Sequence, residues 1–470
     1  MKPRFFIIPF ALLPIFVRSH PMVKPRDNIY EERAAKTTIV SYRKNNIKEQ
    51  DILKHGQKLE SICNCEVTHL RQVGAFILSY DHKDHTSADI LNLGIENGIA
   101  VEDRVISTMG GSVRPILTNY HPKLTNGMPD DPFFRYQWPL KHLGNGADIN
   151  AVQGWDEYLS DAVGGNEAGD PLIVAIIDTG VDYNHPELRN MMWKNPEEIE
   201  GNGIDDDDNG IIDDVFGASF ADFNKLNLSF ISGDPIDNFG HGTHCAGIIG
   251  AEENNGIGIA GVASFSQGKI KLMAVKGLSD VGFGTTGSLL SSLDYAIEHG
   301  ANLSSNSWGS SESVTIWEEK MWSNILENNP NHLFVAAAGN DNLMLNPTYK
   351  PMACGVDAPN LVCVASSTIN DTKSSFSNYG KDMVDVFAPG SSIYSTYLNS
   401  TYAIMSGTSM ATPHVTGLAA LVMSMRNDLS GEGVKELIKA NVQEKTAYED
   451  IVSSGGLIDV AKTIQALKMR

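Results

Sequence analysis

The 470-residue chain has little positive charge, few cysteines and no long apolar run. Its 36 Lys and Arg against 57 Asp and Glu leave a net charge of -21, which repels phosphate backbones, so we expect no nucleic-acid partner. At 470 residues the chain is long enough to bury a sizeable core, which excludes a mini-protein held together by disulfides alone. Beyond the first 20 residues no segment is apolar enough to cross a bilayer, so we expect no membrane span there.

The first residues have the pattern of a secretory leader. Lys2 and Arg4 precede an apolar run from Phe5 to Val17, which is shorter than the about 20 residues of a membrane span, and the small Ser19 fits a cleavage point. We therefore predict a signal peptide over residues 1–19, with an uncleaved anchor as the alternative. The rest of the protein is then expected to be secreted or to lie in a secretory organelle.

A secretory route favours disulfides and glycans. Cys354 and Cys363 flank a turn-like stretch and are predicted to form a disulfide. Cys63 and Cys65 are too close for a relaxed bond to each other, and Cys245 is predicted to be a buried free thiol. Four N-x-[ST] sequons are candidate glycosylation sites, although each could be unused: Asn227, Asn302, Asn370 and Asn399.

Two domains are predicted. Hydrophobic residues make up 42% of the chain and charged residues 20%, which is ordinary globular usage and excludes wholesale disorder. Residues 20–109 alternate short strand and helix patterns, so we expect a small α+β domain, and residues 110–129 have the Gly, Pro, Asn and Ser content of an exposed linker. In the small domain we predict strands at KTTIVSYRK, VGAFILSY and IAVEDRVISTM, and helices over 46–61 and 87–98.

Residues 130–470 have the pattern of a larger α/β domain. Continuous apolar runs are typical of strands buried on both faces of a parallel sheet, and helical patterns lie between them. We therefore predict a doubly wound, mostly parallel sheet. The predicted strands are PLIVAIID, KIKLMAVK, HLFVAAA, LVCVAS and VDVFAPG, and the predicted crossover helices are SLLSSLDYAIEHG and WEEKMWSNILENN.

Three polar residues lie at positions that suit catalytic or ligand-binding groups in such a fold. Asp178 ends a buried strand, and ligands of open α/β sheets gather at the carboxyl ends of the strands, although a helix N-cap is the alternative. His241 begins the small-residue stretch HGTHCAG, where a metal pair with His244 is the alternative, but no acidic ligand signature accompanies it. Ser409 begins an apolar helix, where it is either a cap or an oxygen nucleophile at the positive end of the helix dipole.

Asp, His and Ser in this chain order are the parts of a nucleophilic triad. The segments IIDTGVDYNHPEL, HGTHCAGIIG, NNGIGIAGVA, SNSWG, AAAGN, FAPG and SGTSMATPHVTG follow one another through the larger domain. In these segments the chain resembles the subtilisin family of serine proteases. The resemblance implies a serine endopeptidase with Ser409 as nucleophile, His241 as general base and acid, and Asp178 as the carboxylate that orients the imidazole. It also implies an oxyanion hole made by the Asn340 side chain and the Ser409 backbone N–H.

The resemblance further implies a cleft for protein or peptide substrates. Two backbone stretches would hold an extended peptide as an added strand, and Gly339 would line the pocket for the residue before the cut bond. Taken alone, Trp308 would more often be a core residue. The two stretches are Gly282, Phe283 and Gly284, and Ser307, Trp308 and Gly309.

An acidic cluster indicates a calcium loop. Asp205, Asp207 and Asn209 alternate ahead of a glycine, followed by a possible carbonyl ligand at Ile211 and a further carboxylate at Asp213. The glutamate that ends an EF-hand loop is replaced by Phe216, so the loop is EF-like and not an EF-hand. A solvated acidic turn is the alternative.

The family resemblance implies a second calcium site. Glu187, Asn255 and the carbonyls of Ile257 and Ile259 match such a site in bacterial members. Glu187 replaces the aspartate that is usual there.

The small domain resembles the family's inhibitory prodomain in length and position. Such a domain leaves its C-terminal tail in the cleft as an inhibitor, and the 110–129 linker would be cut on maturation. The acidic loop and the leader make the chain most similar to secreted subtilisins of protozoan parasites. The rival hypothesis is a non-catalytic protein that uses the same cleft for binding, but all four chemical positions are filled.

Overall fold

The structure is a computed structural model in which part of the chain is described. The predicted leader, Cys63, Cys65, the 87–98 helix and the Asn227 sequon lie outside the described residues. These are 37–41, five helical residues at 52, 54, 56, 57 and 59, and then 66–79, 99–102, 105–109, 114–115, 128–142, 147–162, 170–221, 231–266 and 268–469.

The strands and helices have the following residue bounds, and from residue 151 onward the two kinds of element alternate along much of the chain. The strands are β1 (Thr37–Ser41), β2 (Glu66–Leu70), β3 (Ala75–Ser79), β4 (Ile99–Glu102), β5 (Val105–Thr108), β6 (Arg114–Pro115), β7 (Leu172–Asp178), β8 (Gly217–Ser219), β9 (Ile270–Lys276), β10 (Phe283–Thr285), β11 (Leu303–Asn306), β12 (Trp308–Gly309), β13 (Leu333–Ala337), β14 (Leu361–Ser367), β15 (Val386–Pro389), β16 (Ile393–Tyr397), β17 (Thr401–Met405), β18 (Gln443–Glu444) and β19 (Gly456–Leu457). The helices are α1 (Ala151–Ala162), α2 (His241–Gly250), α3 (Thr286–Glu298), α4 (Ile316–Glu327), α5 (Thr408–Met425), α6 (Gly431–Ala440) and α7 (Val460–Lys468).

A nine-stranded sheet organises the larger domain. Its order is β18-β19-β15-β14-β13-β11-β7-β9-β8, and all its strand pairs are parallel except β18 with β19. The five apolar runs of the sequence form β7, β9, β13, β14 and β15, whose residues are almost all buried. The predicted doubly wound, mostly parallel α/β fold is confirmed.

The central strand β11 has no apolar run, so its sequence did not predict it. It lies between β7 and β13, and Ser304, Ser305 and Asn306 are all buried. Local hydrogen bonds offset part of the cost of this burial, because the Asn306 amide donates to the carbonyl and the hydroxyl of Ser304 at 3.0 and 2.8 Å. The Ser305 hydroxyl and the Asn306 side-chain oxygen are buried without a hydrogen-bond partner among the described residues. The ring of His332 adds a contact of 2.9 Å to the Ser304 hydroxyl.

The small domain contains a four-stranded antiparallel sheet in the order β2-β3-β1-β4. The single strand expected over Ile99–Met109 is wrong, because the structure forms two strands there. β4 pairs with β1, whereas β5 leaves this sheet and lies between β10 and β12. Residue pattern indicates an extended chain but not the sheet that it joins.

The predicted small domain and the large sheet share one apolar core. Ile39, Val73 and Val101 of the small domain belong to the same buried cluster as the central strands of the large sheet. At this junction the backbone N–H groups of Gln72 and Val73 donate to one carboxylate oxygen of Asp294 in α3, at 2.5 and 2.8 Å. Apolar burial and these charge-assisted hydrogen bonds therefore hold the small domain against the large sheet and its helices.

Cys354 and Cys363 form a disulfide, as predicted. In the described part of the chain, Cys245 is a buried free thiol, also as predicted. None of the described helices has both the length and the apolarity that crossing a membrane requires.

Close packing fixes the position of α5, the helix whose first turn contains Ser409. A Cβ atom added to Gly417 would lie 2.7 Å from the Cβ of Val262, closer than real Cβ contacts come. A Cβ atom added to the helical Gly433 of α6 would meet its nearest neighbour at 3.5 Å, an ordinary contact.

Gly417→Ala should lower stability by about 1–3 kcal/mol, because the added methyl overpacks the contact with Val262. Gly433→Ala is the matched control and should be neutral or stabilising by up to about 1 kcal/mol. Thermal melts of the two variants measure this difference. Equal melting temperatures for both would contradict the packing argument.

Candidate active site

Asp178 and His241 meet at the end of β7. Asp178 is the last residue of that strand and His241 is the first residue of α2; both are buried. The Nδ1 atom of His241 lies 2.8 Å from Oδ1 of Asp178, while Nε2 has no hydrogen-bond partner among the described residues. A carboxylate at Nδ1 holds the proton there and leaves Nε2 as the free base.

Asp237 holds the start of α2, and the sequence analysis missed it. Gly240 precedes the helix with a φ of 97° and gives no side-chain cap. The Asp237 carboxylate takes that place, since it accepts the N–H groups of Phe239, Gly240 and Thr243 at 2.9 Å each. An acidic residue just ahead of a helix start is a recognisable capping signal, so this role was open to prediction.

Ser409 lies in the first turn of α5 and is fully buried. Its hydroxyl donates to the Ser307 carbonyl at 3.0 Å, and its backbone N–H points to the carbonyl oxygen of Met109 at 3.4 Å. α2 packs directly against α5, which brings the helix of His241 alongside that of Ser409. The amino end of α5 is thus directed at a carbonyl group of the chain itself.

The side chain of Asn340 donates a second hydrogen bond to the Met109 carbonyl oxygen. Its own oxygen accepts the backbone N–H and the hydroxyl of Thr408 at 2.9 and 3.1 Å, so the NH₂ group must face the cleft. The same Thr408 hydroxyl accepts the N–H of Gly339 at 3.1 Å. Thr408 is therefore a positioning residue, which the sequence analysis did not identify.

The strand β5 occupies the predicted cleft. It pairs antiparallel with β10 on one side and with β12 on the other. The N–H of Thr108 donates to the Gly282 carbonyl at 3.0 Å, and the N–H of Met109 donates to the Ser307 carbonyl at 3.1 Å. All the predicted cleft residues of the two backbone stretches therefore flank one extended segment.

The side chain of Met109 lies against Gly309. A Cβ atom on Gly309 would come within 2.2 Å of the Met352 carbonyl oxygen and 2.7 Å of the Met109 Cε atom, so only glycine fits between this backbone and the Met109 side chain. Trp308 serves the core as well as the cleft, because its buried indole donates to the Ile177 carbonyl at 3.0 Å.

Burial keeps the other histidines near the site neutral. It lowers the pKa of His244 to about 3 and that of His414 to about 4. The Nε2 atom of His244 lies 3.2 Å from two backbone carbonyl oxygens, those of Ile393 and Ala403, and so carries the proton. His244 is thereby turned away from a metal pair with His241.

The acidic loop brings three carboxylates together, and two of them, Asp205 and Asp207, belong to the predicted set. Oxygens of Glu198, Asp205 and Asp207 lie within 4.8 Å of one another, and Oε2 of Glu198 is buried without a hydrogen-bond partner. The carboxylate of Asp213 is directed elsewhere, since it accepts the backbone N–H groups of residues 201–203. Asn209 faces Asp207, with its side-chain nitrogen 3.0 Å from that carboxylate.

Glu187 belongs to a second cluster of buried carboxylates. This side chain accepts the Ile259 N–H at 2.9 Å, the Asn255 amide at 3.1 Å and the Tyr402 hydroxyl at 2.7 Å, and burial raises its pKa to about 7. Asp131, which the sequence analysis did not identify, acts on Glu187 electrostatically. Burial raises the pKa of Asp131 to about 6, and its Oδ1 atom is buried without a partner. A buried carboxylate oxygen without a hydrogen-bond partner suits a cation.

Comparison with known proteins places the chain in one family of proteases. The model of the subtilase family, described as Peptidase_S8, matches residues 169–455, more than half of the chain. Thermitase of Thermoactinomyces vulgaris is 35% identical over 344 residues, which cover 72% of this chain and 99% of thermitase. Subtilisin-like protease 1 of Plasmodium berghei is 30% identical over 389 residues, which cover 78% of this chain.

The match spans 59% of the length of that Plasmodium berghei protein and 43% of its Plasmodium falciparum counterpart. Among solved structures, a protease from Pseudoalteromonas arctica superposes with a TM-score of 0.54 at 24% identity, over 72% of this chain and 99% of its own. That likeness concerns the fold.

Asn340→Ala should lower kcat for peptide cleavage by about 10²- to 10³-fold with little change in KM, as is typical for the loss of one oxyanion donor. Steady-state kinetics on a peptide substrate measure this. An unchanged kcat would remove Asn340 from the site.

Thr408 provides the matched pair of variants. Thr408→Val should lower kcat by about tenfold, because it removes the hydroxyl that orients the Asn340 amide. Thr408→Ser keeps the hydroxyl and should retain most of the activity. A serine variant as slow as the valine variant would assign the loss to packing instead.

Proposed function

The chain belongs to the subtilase family, and from this we propose that it is a serine endopeptidase made as a self-inhibited precursor. One observation carries the proposal. The carbonyl oxygen of Met109 is held by the Asn340 side chain and by the N–H of Ser409, the residue whose hydroxyl would attack that carbonyl. A peptide bond of the chain itself thus lies where a substrate's bond would be cut.

In the proposed reaction the Ser409 hydroxyl turns from the Ser307 carbonyl and attacks the carbonyl carbon of the bound residue. Its proton passes to Nε2 of His241, which is free to accept it. Asp178 holds the Nδ1 proton and stabilises the imidazolium that forms. Asn340 and the Ser409 N–H stabilise the negative oxygen of the tetrahedral intermediate.

The intermediate then breaks down in two steps. His241 returns the proton to the leaving amine, which departs and leaves an acyl group on Ser409. Water, deprotonated by the same imidazole, releases that group and restores the serine. Each step uses only residues that converge at the ends of β7, β13 and the two helices.

We assign the inhibitory role to residues 20–109. β5 lies in the cleft between β10 and β12 as a substrate strand would, which supports inhibition by its own tail. The apolar cluster shared through Ile39, Val73 and Val101 adds affinity beyond the tail. The bond after Met109 is the proposed maturation site, at the start of the 110–129 linker.

We propose calcium at both carboxylate groups. In the acidic loop Glu198, Asp205 and Asp207 would supply carboxylate oxygens, with Glu198 in place of the Asp213 predicted from sequence. At the other site Glu187 and Asp131 would supply them, beside Asn255 and the Ile257 and Ile259 carbonyls. Bound calcium would offset the mutual repulsion of these carboxylates and so stabilise the folded protein.

A secretory route also belongs to this proposal. The Cys354–Cys363 disulfide supports it, because disulfides persist in oxidising compartments. Substrates would be proteins or peptides that can enter the cleft in extended form.

The full-length chain should convert itself to a product that begins at Gly110. Met109→Pro should block this conversion, because proline lacks the N–H that Met109 donates to Ser307. Gel electrophoresis and N-terminal sequencing measure the outcome. A mature terminus inside a described strand or helix would contradict the proposal.

Ser409→Ala is the control for the chemistry. This variant should remain uncut and unlabelled by a fluorophosphonate probe, whereas the wild type should be labelled at Ser409. A wild-type protein that the probe does not label would favour a non-catalytic binding protein.

Glu198→Gln should weaken calcium binding at the acidic loop by about tenfold or more, because it removes a carboxylate ligand. Asp213→Asn is the matched control and should leave calcium affinity nearly unchanged, because its carboxylate caps backbone N–H groups. Calorimetric titration with calcium distinguishes them. The reverse order of effects would restore the ligand set predicted from sequence.

A further inference from the structure

Lys276 ends β9 next to the carboxylate of the candidate triad. It lies opposite Asp178 in the parallel pairing of β9 with β7, so both residues stand at the carboxyl edge of the sheet. The Lys276 side chain is 8% exposed, which withdraws its charge from water and requires hydrogen-bond partners. The proposed reaction uses Asp178 but gives this buried ammonium group no role.

The ammonium group of Lys276 has partners in three separate segments. Its Nζ atom donates to the Thr179 carbonyl at 2.7 Å, to the Ile236 carbonyl at 3.1 Å and to Oδ1 of Asp280 at 2.6 Å. An ammonium group has three donors, so these three oxygens account for all of them. A compact charge on a flexible stem suits three convergent oxygens, whereas the planar guanidinium of arginine suits acceptors that lie in one plane.

Two of these partners adjoin the residues that hold the catalytic imidazole. Thr179 directly follows Asp178, whose carboxylate lies 2.8 Å from Nδ1 of His241. Ile236 directly precedes Asp237, whose carboxylate holds the start of α2. The ammonium group therefore fixes the turn after Asp178 against the loop before α2, and the position of the imidazole depends on both segments.

The third partner belongs to the rim of the cleft. Asp280 lies in the turn that leads into β10, and its side chain is 55% exposed. One of its oxygens accepts from Lys276, and the other lies 3.3 Å from the side-chain nitrogen of Asn238 in the loop before α2. Two residues further on, the Gly282 carbonyl accepts the N–H of Thr108 in the strand that occupies the cleft. The same ammonium group thus links the catalytic pair to the wall that holds the substrate strand.

We propose that Lys276 is a positioning residue that aligns the Asp178–His241 pair with the substrate strand. The inference rests on the proposed endopeptidase function. The ammonium group contacts neither the bound strand nor a reacting atom, and acts through the two carbonyls and the Asp280 carboxylate. A displacement of about 1 Å can cost about 10²-fold in rate, whereas an exposed ion pair adds little stability. Alignment is therefore the larger effect expected of this link.

The first test uses Lys276→Met, which keeps the length of the side chain but removes the charge and all three donors. The variant precursor is processed by a trace of affinity-tagged wild-type enzyme, which is then removed. With a fluorogenic peptide that carries the sequence of residues 105–112, kcat should fall by about 10- to 100-fold. Labelling of Ser409 by a small fluorophosphonate should slow by a similar factor, because the probe needs the aligned triad but not the cleft.

The second test uses Asp280, which separates the cleft from the triad. Asp280→Asn removes the charge of the exposed arm, so KM for the same peptide should rise about two- to fivefold while the labelling rate stays within about twofold. Asp280→Glu keeps the charge and should return KM toward the wild-type value. A general loss of stability would not separate KM from the labelling rate in this way.

Lys271 provides the matched control on the same strand. Its Nζ atom donates to the Asn190 carbonyl at 2.6 Å. It lies about 16 Å from Lys276 along β9, at a rise of about 3.3 Å per residue. Lys271→Met should therefore leave kcat, KM and the labelling rate unchanged.

Slow cleavage and slow labelling in Lys276→Met, together with a raised KM in Asp280→Asn, support the inference. A Lys276→Met enzyme that melts at a lower temperature but is labelled and cuts at wild-type rates overturns it, because the lysine is then only a stabilising group. An unchanged KM in Asp280→Asn also overturns it, whether or not Lys276→Met folds. If Lys276→Met does not fold, a KM that rises in Asp280→Asn and is restored in Asp280→Glu supports the inference.

Failure of the inference is distinguishable from failure of the proposed function. If the wild type cuts the peptide and is labelled at Ser409 while the Lys276 and Asp280 variants match it, only the positioning role is lost. If the wild type neither cuts the peptide nor reacts with the probe, the endopeptidase proposal fails as well.

Discussion

The candidate site depends on one helix end that has no cap of its own. α5 begins after Gly407 without a side-chain cap, whereas α3, α4, α6 and α7 each have a side chain that accepts a first-turn N–H. The N–H of Thr408 is satisfied by Asn340, and that of Ser409 by the Met109 carbonyl. Unsatisfied N–H groups at the positive end of a helix form a site for a developing negative charge. The Ser409 N–H of α5 is therefore available to a bound carbonyl group, because no capping side chain accepts it.

The parallel sheet brings the remaining groups to that helix end. β13, β11 and β7 are neighbours, and Asn340, Ser307 and Asp178 stand at or just after their carboxyl ends. Since parallel strands end at one edge, residues far apart in sequence converge there. The polar strand β11 lies between the apolar strands β7 and β13, and the hydrogen bonds from Asn306 to Ser304 satisfy part of its buried polar groups.

The small domain and the cleft form one continuous structure. Its core is shared with the large sheet, so the strand that leaves it at Glu102 arrives in the cleft with both ends restrained. The pairing of β6 with β17 then restrains the chain beyond the bond. Holding a peptide on both sides of a bond lowers the conformational entropy that must be lost before that bond can react.

The sequence by itself determined the fold class, the apolar strands of the sheet and the Cys354–Cys363 disulfide, because these depend on local patterns and spacing. It also selected Asp178, His241, Ser409 and Asn340, since each stands in a short segment with a recognisable motif. Only the tertiary structure decided the partners that come from distant segments. Asp131, which influences Glu187 electrostatically, comes from a stretch without a motif, and Glu198 lies beside Asp205 and Asp207 whereas the loop directs the Asp213 carboxylate to backbone N–H groups. The division of residues 99–109 between two sheets has the same cause, since strand pairing is a long-range choice that an extended pattern does not encode.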